Sequence, residues 1–226
     1  MSDVEVRRRP QQGRSKNRVD SILEAALELI VEAGAEHLAM REVARRAGVP
    51  ISSVYQYFPS KTAVLRELAI ANLKRVSVML QDVLAGLLVE TGGRPTSAQA
   101  VDRLIDAYYA HYRDDPAASA VWAGAQADPA LRELDVTDTR RIAEFLTPAI
   151  MVNTSLNDRD SAFALALLLT EVTGSAARLA LAVPSPLREE IVEKLKIMLT
   201  ATLAAHVPAA VVPKVLRKAA AKSEIR

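Results

Sequence analysis

Residues 40–61, MREVARRAGVPISSVYQYFPSK, contain two short helical patterns separated by a turn with a glycine. The first pattern has apolar residues one helical turn apart: Met40, Val43, Ala44 and Ala47. Gly48 follows where the C-terminus of a helix favours a residue that tolerates positive φ. Pro50 suits the first turn of a new helix, because its φ is fixed near the helical value. This layout predicts a helix-turn-helix, whose second helix enters the major groove of DNA.

The second helix of this motif is predicted to have a packed face and an exposed face. At about 100° per residue, one arc carries Ile51, Val54, Tyr55 and Phe58. The opposite arc carries Ser52, Ser53, Gln56 and Tyr57. The second arc is predicted to contact DNA, because Gln pairs bidentately with adenine and Ser bonds base edges or phosphates. Ser60 is predicted to cap the next helix, with Lys61 placed to meet a phosphate.

The segment from Ile22 to Lys61 resembles the tetracycline-repressor (TetR) family of bacterial transcription regulators. The matching residues are Ile22, Leu23, Ala25, Ala26, Leu29, Gly34, Arg41, Val43, Ala44, Ala47, Gly48, Val49, Val54, Tyr55, Tyr57, Phe58, Ser60 and Lys61. The resemblance implies an N-terminal three-helix DNA-binding unit, followed by a helical ligand-binding and dimerisation domain that ends in an antiparallel helix hairpin. Family members usually have threonine at the position of Ala39 and often serine at that of Pro50, so contacts of these two positions with the DNA backbone are not expected here.

Seven residues are candidates for DNA contact on the basis of the exposed arc and the resemblance. They are Arg41, Ser52, Ser53, Tyr55, Gln56, Tyr57 and Lys61. Base preference is assigned to Gln56, and positioning on phosphates to Lys61. The tyrosine phenols are expected to donate hydrogen bonds to phosphates.

Composition favours an all-α protein of 226 residues, because half of the chain is hydrophobic but only 4% is aromatic. The net charge of +2 conceals an asymmetry, since the first 75 residues hold 13 Lys and Arg against 9 Asp and Glu. The absence of cysteine fits a reducing cytoplasm, and no secretory signal is predicted. Residues 162–183 are apolar, but Glu171 and Arg178 interrupt them, so no membrane span is predicted.

The chain is predicted to divide into four parts. They are a flexible basic arm (1–16), a DNA-binding domain (17–72), a helical ligand-binding and dimerisation domain (73–206) and a basic, disordered tail (207–226). Whether the arm and the tail touch DNA or are only solvated is left open. A helix from Lys61 towards Leu88 is expected to contain a break or junction near residues 72–76, and a later helix (130–152) is expected to kink or break at Pro148.

Two long apolar helices, about 159–183 and 185–206, are separated by only a short Pro-Ser-Pro link. So short a link predicts antiparallel neighbours. Because each helix is apolar over more than one face, the hairpin is a candidate homodimer interface. In the resembled family two such hairpins form a four-helix bundle, which would present two DNA-contacting helices to a palindromic operator.

Catalysis and metal binding have no motif in this sequence. His37, His111 and His206 are isolated from one another and from carboxylates at ligand spacing, so neither an enzyme, a metal site nor a cofactor is predicted. The resemblance implies a small-molecule effector instead. Its candidate wall residues are Tyr108, Tyr112, Trp122, Met151 and Phe163, for which ordinary core packing is the alternative.

Two hypotheses follow for the function. The first is a cytoplasmic, homodimeric transcription regulator, a repressor that a small ligand releases from its operator. The second is a helical ligand-binding or interaction protein whose DNA unit is weakened by Ala39 and Pro50. Specific binding to an operator distinguishes the two.

Overall fold

The computed structural model describes residues 13–207, and all regular structure within that range is helical. Nine α-helices lie in the described residues: α1 (Gly13–Ala33), α2 (Met40–Arg46), α3 (Ile51–Tyr57), α4 (Lys61–Glu90), α5 (Ser97–Asp114), α6 (Pro116–Ala127), α7 (Arg132–Asn153), α8 (Arg159–Ala182) and α9 (Leu187–Ala204). Two 3-10 turns precede α2 and α7, at Ala35–His37 and Pro129–Leu131. The predicted all-α fold is confirmed, whereas most of the predicted arm and tail lies outside the described residues.

Two details of the predicted helices were wrong, and for a third one of two alternatives is excluded. The first helix begins at Gly13, four residues before the predicted start. The fourth helix has no junction near residues 72–76, since no glycine or proline interrupts it before Gly86. The seventh helix continues through Pro148 without a break, and the kink predicted as the alternative stays a prediction.

The described residues form two compact units, which are considered separately. The first unit combines the described part of Met1–Asp82 with Ala107–Asp138, and the second combines Val83–Asp106 with the described part of Thr139–Arg226. Both units therefore contain part of α4, α5 and α7. The division into a DNA-binding domain at 17–72 and a larger domain at 73–206 remains a prediction.

The core of the first unit joins α1, α2, α3 and the start of α4. Ile22, Ala26, Val43, Val54 and Phe58 are fully buried in it. Burial of each large apolar side chain contributes about 1.5–3 kcal/mol, so these residues fix α3 firmly against the other helices.

Helix α6 also packs on this unit, against α1 and the 3-10 turn that follows α1. The helix begins at Pro116 behind Asp115, whose carboxylate accepts hydrogen bonds from the amides of Ala117 and Ala118. Gly124 lies so close to the turn that a Cβ built on it would be 2.4 Å from the Cβ of Ala35. One turn later, Asp128 accepts a hydrogen bond of 2.8 Å from the hydroxyl of Thr62 in the first turn of α4.

The second unit contains the antiparallel pair α8 and α9, which pack directly on each other. Small buried residues of α8 face larger ones of α9: Ala162, Ala166, Ala177 and Ala180, with Val192, Leu195, Leu199 and Leu203. The ammonium of Lys196 on α9 contacts Asp102 and Asp106 of α5, at 2.7 and 2.6 Å. The predicted hairpin is thus present, and one charged cluster joins it to α5.

Candidate nucleic-acid interface

The turn between α2 and α3 has the hydrogen bonds of a Schellman motif. The amide of Val49 donates to the carbonyl of Ala44 (3.0 Å), and the amide of Gly48 donates to that of Arg45 (3.3 Å). Gly48 has φ of 64°, a value that residues with a Cβ rarely adopt. The predicted role of this glycine is confirmed, and it fixes the direction in which α3 leaves α2.

The packed face of α3 differs from the predicted one. Tyr57 is only 4% exposed and packs in the core with Val54 and Phe58, whereas Ile51 and Tyr55 are 37% and 45% exposed. The predicted arc and the observed one share Val54 and Phe58, so the periodicity of so short a helix does not choose between them. Packing in the core of the first unit decides the outcome, and Tyr55 and Tyr57 exchange faces.

The exposed face of α3 therefore consists of Ile51, Ser52, Tyr55 and Gln56, with Ser53 partly exposed at its edge. This surface, which we call the α3 face, is polar except for Ile51. Its opposite side is locked in the core, so the side chains of the α3 face project from a rigid element. The buried ring of Tyr57 supports that element, and its predicted contact with DNA stays a prediction.

Two predicted cations flank the α3 face in sequence. Arg41 is exposed in the first turn of α2, and Lys61 is exposed at the first position of α4. The ammonium of Lys61 donates a hydrogen bond of 3.1 Å to the carbonyl of Glu36, which orients it. The hydroxyl of Ser60 accepts a bond of 3.2 Å from the amide of Ala63, as a helix cap does.

The N-caps of α2 and α3 are Ala39 and Pro50, and neither makes a side-chain capping bond. Pro50 thus precedes the first helical residue instead of occupying it. Because neither position has a hydroxyl, the predicted contacts with DNA fall on the α3 face and on the neighbouring cations Arg41 and Lys61.

The other arginines of α2 are paired within the protein. Arg46 contacts Glu32 at 2.6 Å and Glu28 at 3.6 Å on α1, while Arg45 contacts Glu42 at 2.5 Å. Their hydrogen bonds lower the pKa of the Glu32 and Glu42 carboxyls. The Arg46 pairs join α2 to α1, whereas the Arg45–Glu42 pair lies within α2. Such pairs at the surface contribute little to stability in water.

Three of the five predicted effector residues meet in the first unit. The rings of Tyr112 and Trp122 stack with centroids 4.1 Å apart, and Tyr108 meets the ring of Tyr112 edge-on at 5.3 Å. Met151 and Phe163 belong to the second unit, where the guanidinium of Arg140 lies 5.6 Å from the centroid of the Phe163 ring. The predicted set is thus split between the two units.

Asn72, which the sequence analysis overlooked, is 2% exposed and central to this cluster. Its amide donates to the hydroxyl of Tyr112 (3.2 Å), and its carbonyl oxygen lies 3.0 Å from Nε2 of His111. Burial, followed by the positive charge of Arg75, lowers the pKa of His111. A lone asparagine in an apolar helical stretch is the sequence signal for such a buried polar contact.

A cavity of about 20 Å³ lies beside this cluster. Its walls are Ala69, Asn72, Leu73, Val121, Trp122, Ala125, Gln126, Leu131, Leu134 and Asp135. A space of this size holds about one water molecule. Any larger ligand therefore requires α4 and α6 to separate, or the side chains of the walls to move.

The buried hydroxyl of Tyr112 predicts a loss of stability at alkaline pH. Burial raises its pKa to about 12, whereas an unfolded tyrosine titrates near 10. The unfolded chain therefore loses this proton first, so the stabilisation is complete below pH 10 and is lost as pH rises from about 10 to about 12. Over this pH range, the free energy of unfolding should fall by about 2–3 kcal/mol less in Tyr112→Phe than in the wild type.

Urea unfolding at several pH values measures this effect. Tyr55→Phe is the matched control, because the ring of Tyr55 is exposed, and its curve should coincide with that of the wild type. An unchanged alkaline slope in Tyr112→Phe would contradict the buried state of this hydroxyl.

No group of three or more residues suited to hold a metal ion occurs in residues 13–207. The geometry instead defines a helix-turn-helix protein: a rigid short helix with exposed amide, hydroxyl and phenol groups, followed by a larger helical region. This is the class of sequence-reading DNA-binding proteins.

Comparison with known families agrees with that class. Residues 22–68 match the model described as "Bacterial regulatory proteins, tetR family", and residues 95–207 match "Tetracyclin repressor-like, C-terminal domain". The second match alone covers half of the chain. The protein therefore belongs to the TetR family of DNA-binding transcriptional regulators, a family without enzymatic activity, and the predicted family and absence of catalysis are confirmed.

Individual relatives are distant in sequence. The chain is 26% identical over 137 residues to the HTH-type transcriptional regulator BetI of Escherichia coli O17:K52:H18, covering 59% of this chain and 68% of BetI. A TetR-family transcriptional regulator from Streptomyces coelicolor superposes with a TM-score of 0.62 and 28% identity, over 84% of this chain and 99% of that one. GusR from Salmonella enterica has a TM-score of 0.63 and 18% identity, over 86% and 98%, and shows the fold alone.

Proposed function

We propose that the protein is a cytoplasmic, homodimeric repressor that binds a palindromic operator through α3. A small molecule releases the repressor from this operator. The α3 face carries this proposal. The amide of Gln56 can donate to N7 of adenine and accept from its N6 amino group in the major groove, and Ser52 offers a hydroxyl that either donates or accepts. Both side chains project from a helix whose opposite side is fully buried, so they can be held in register against base edges.

Contacts with phosphate complement the base contacts. Arg41 and Lys61 are exposed on the helices that flank α3, and Tyr55 presents its phenol between them in sequence. These groups favour any DNA sequence equally, so they set the register and most of the salt dependence. Sequence preference is assigned to Gln56 and Ser52.

Paired substitutions separate the two roles. Gln56→Ala should reduce discrimination at one position of each half-site by about 1–3 kcal/mol, because the amide pair with adenine is lost. Lys61→Ala should weaken binding to all sequences alike and lower the slope of log affinity against log salt by about 1 per chain. Titration of operator duplexes and their single-base variants at several salt concentrations measures both effects.

Two exposed residues of α4 serve as matched controls, Gln81 for the amide and Lys74 for the ammonium. Lys74 lies about 20 Å along the helix from Lys61. Alanine at either position should leave both base preference and salt slope unchanged. If Lys61→Ala altered base preference while Gln56→Ala did not, the roles assigned to the α3 face would be wrong.

Dimerisation through α8 and α9 is supported by their exposed apolar side chains. Leu168 and Leu179 on α8, and Ile197 and Met198 on α9, are about half exposed. By length and composition alone α8 could also cross a membrane, as a mean hydropathy of 1.4 indicates, although helices of soluble proteins meet the same criterion. A second copy of the hairpin would cover these side chains and supply the second α3 that a palindrome requires.

Release by a small molecule is proposed from the cavity between α4 and α6. A ligand that binds better to a widened cavity would shift the population towards a form in which α6 has moved from α4. Trp122 is the single tryptophan of the chain and lines this cavity, so its fluorescence reports occupancy. A compound that releases operator without changing this fluorescence would place the effector elsewhere.

A further inference from the structure

One residue of the α3 face has side-chain chemistry unlike that of its polar neighbours. Ile51 is 37% exposed, although the other aliphatic residue of the same helix, Val54, is fully buried. Tyr55 is exposed one turn further along the same side, and Gln56 is exposed next to it. A single exposed isoleucine is common on protein surfaces, so its position on this face is what requires an explanation.

The major groove offers an aliphatic side chain one complementary group. Each base pair presents hydrogen-bond donors and acceptors there, but only thymine presents a methyl group. An isoleucine pressed against a donor or acceptor would leave that group without a partner, which is costly. Against a thymine methyl it excludes water from two apolar surfaces instead.

We infer that Ile51 reads a thymine in each half-site through the 5-methyl group of that base. The inference rests on the proposed function, because it requires α3 to lie in the major groove. Ile51 and Gln56 are five helical steps apart, or about 7.5 Å along the axis. With about 3.4 Å between base pairs, this thymine lies about two steps from the adenine that Gln56 reads.

Replacing single thymines by deoxyuridine tests this contact directly. Deoxyuridine lacks the methyl group but keeps the Watson–Crick pairing, so it removes only the group in question. The duplex is an operator selected by the full chain from random DNA, with each thymine replaced in turn. At one symmetric pair of positions, the wild type should lose about fourfold in affinity per half-site, the effect of one buried methyl group.

The same duplexes are then titrated with variants of the protein. Ile51→Ala should bind the thymine and deoxyuridine duplexes equally, because its side chain no longer reaches the methyl group. Val78→Ala is the matched control, since Val78 is an exposed aliphatic residue of α4, and it should keep the full wild-type effect. Melting temperatures confirm that both variants fold, as expected for partly exposed positions.

Two outcomes would overturn the inference. One is specific binding by the wild type that no deoxyuridine substitution weakens. The other is a deoxyuridine effect of the same size in Ile51→Ala as in the wild type. Failure of the wild type to bind any sequence specifically would instead overturn the proposed function, and this inference with it.

Discussion

The substitution Gly124→Ala is expected to destabilise the first unit by about 1–3 kcal/mol and to weaken operator binding. The added Cβ would lie 2.4 Å from the Cβ of Ala35, and neither atom belongs to a flexible side chain that can turn away. Helix α6 must therefore shift from the 3-10 turn that leads into α2. Because α2 and the start of α4 hold α3 in place, we expect this shift to lower operator affinity by at least about fivefold, the lower end of typical couplings between sites.

Two further variants make this result specific. Ala35→Gly in the same chain removes the opposing Cβ, so the double variant should recover most of the lost stability and affinity. Gly86→Ala is the matched control, because no atom lies within 4 Å of a Cβ at this exposed position of α4. It should stabilise the helix by about 0.5–1 kcal/mol. Chemical unfolding and operator titration measure both quantities, and a Gly124→Ala chain as stable as the wild type would contradict the close contact.

The substitution Leu168→Glu, on the exposed face of α8, is expected to abolish the proposed dimer. Leu168 is 59% exposed in the chain, so Leu168→Glu should fold normally as a monomer. In a symmetric interface it would place two unpaired charges against apolar surface, at a cost of several kcal/mol. Without a second α3 bound at the same time, operator affinity should fall by about two orders of magnitude or more.

Light scattering during size-exclusion chromatography measures the mass, and operator titration measures the affinity. The matched control is Val89→Glu, because Val89 is an aliphatic residue at the end of α4 that is 84% exposed. This variant should remain dimeric with unchanged affinity. A Leu168→Glu chain that stays dimeric would show that the outer face of α8 is not the interface.

Local signals in the sequence predicted much of the structure. Gly48 follows the end of α2 and has positive φ, and Ser60 caps α4, as expected. Each of these features depends on a few neighbouring residues, so the sequence carries the information. The antiparallel hairpin was predictable for the same reason, since its two helices are apolar and the link between them is short.

The features that were not predictable depend on contacts between distant parts of the chain. Two helical arcs of α3 share Val54 and Phe58, and only packing against other helices decides which is buried. The contact between Gly124 and Ala35 brings together residues on different helices, and so does the hydrogen bond between Asn72 and Tyr112. No local pattern encodes such pairs.

Selection of DNA from a random pool by the full chain tests the central claim most directly. Two copies of α3 on a twofold axis should enrich an inverted repeat whose half-site centres lie about 10 base pairs or a multiple of that apart. Each duplex should bind chains in multiples of two, as measured by the mass of the complex. Enrichment of no sequence, or of a single unrepeated site that binds one chain, would contradict the account.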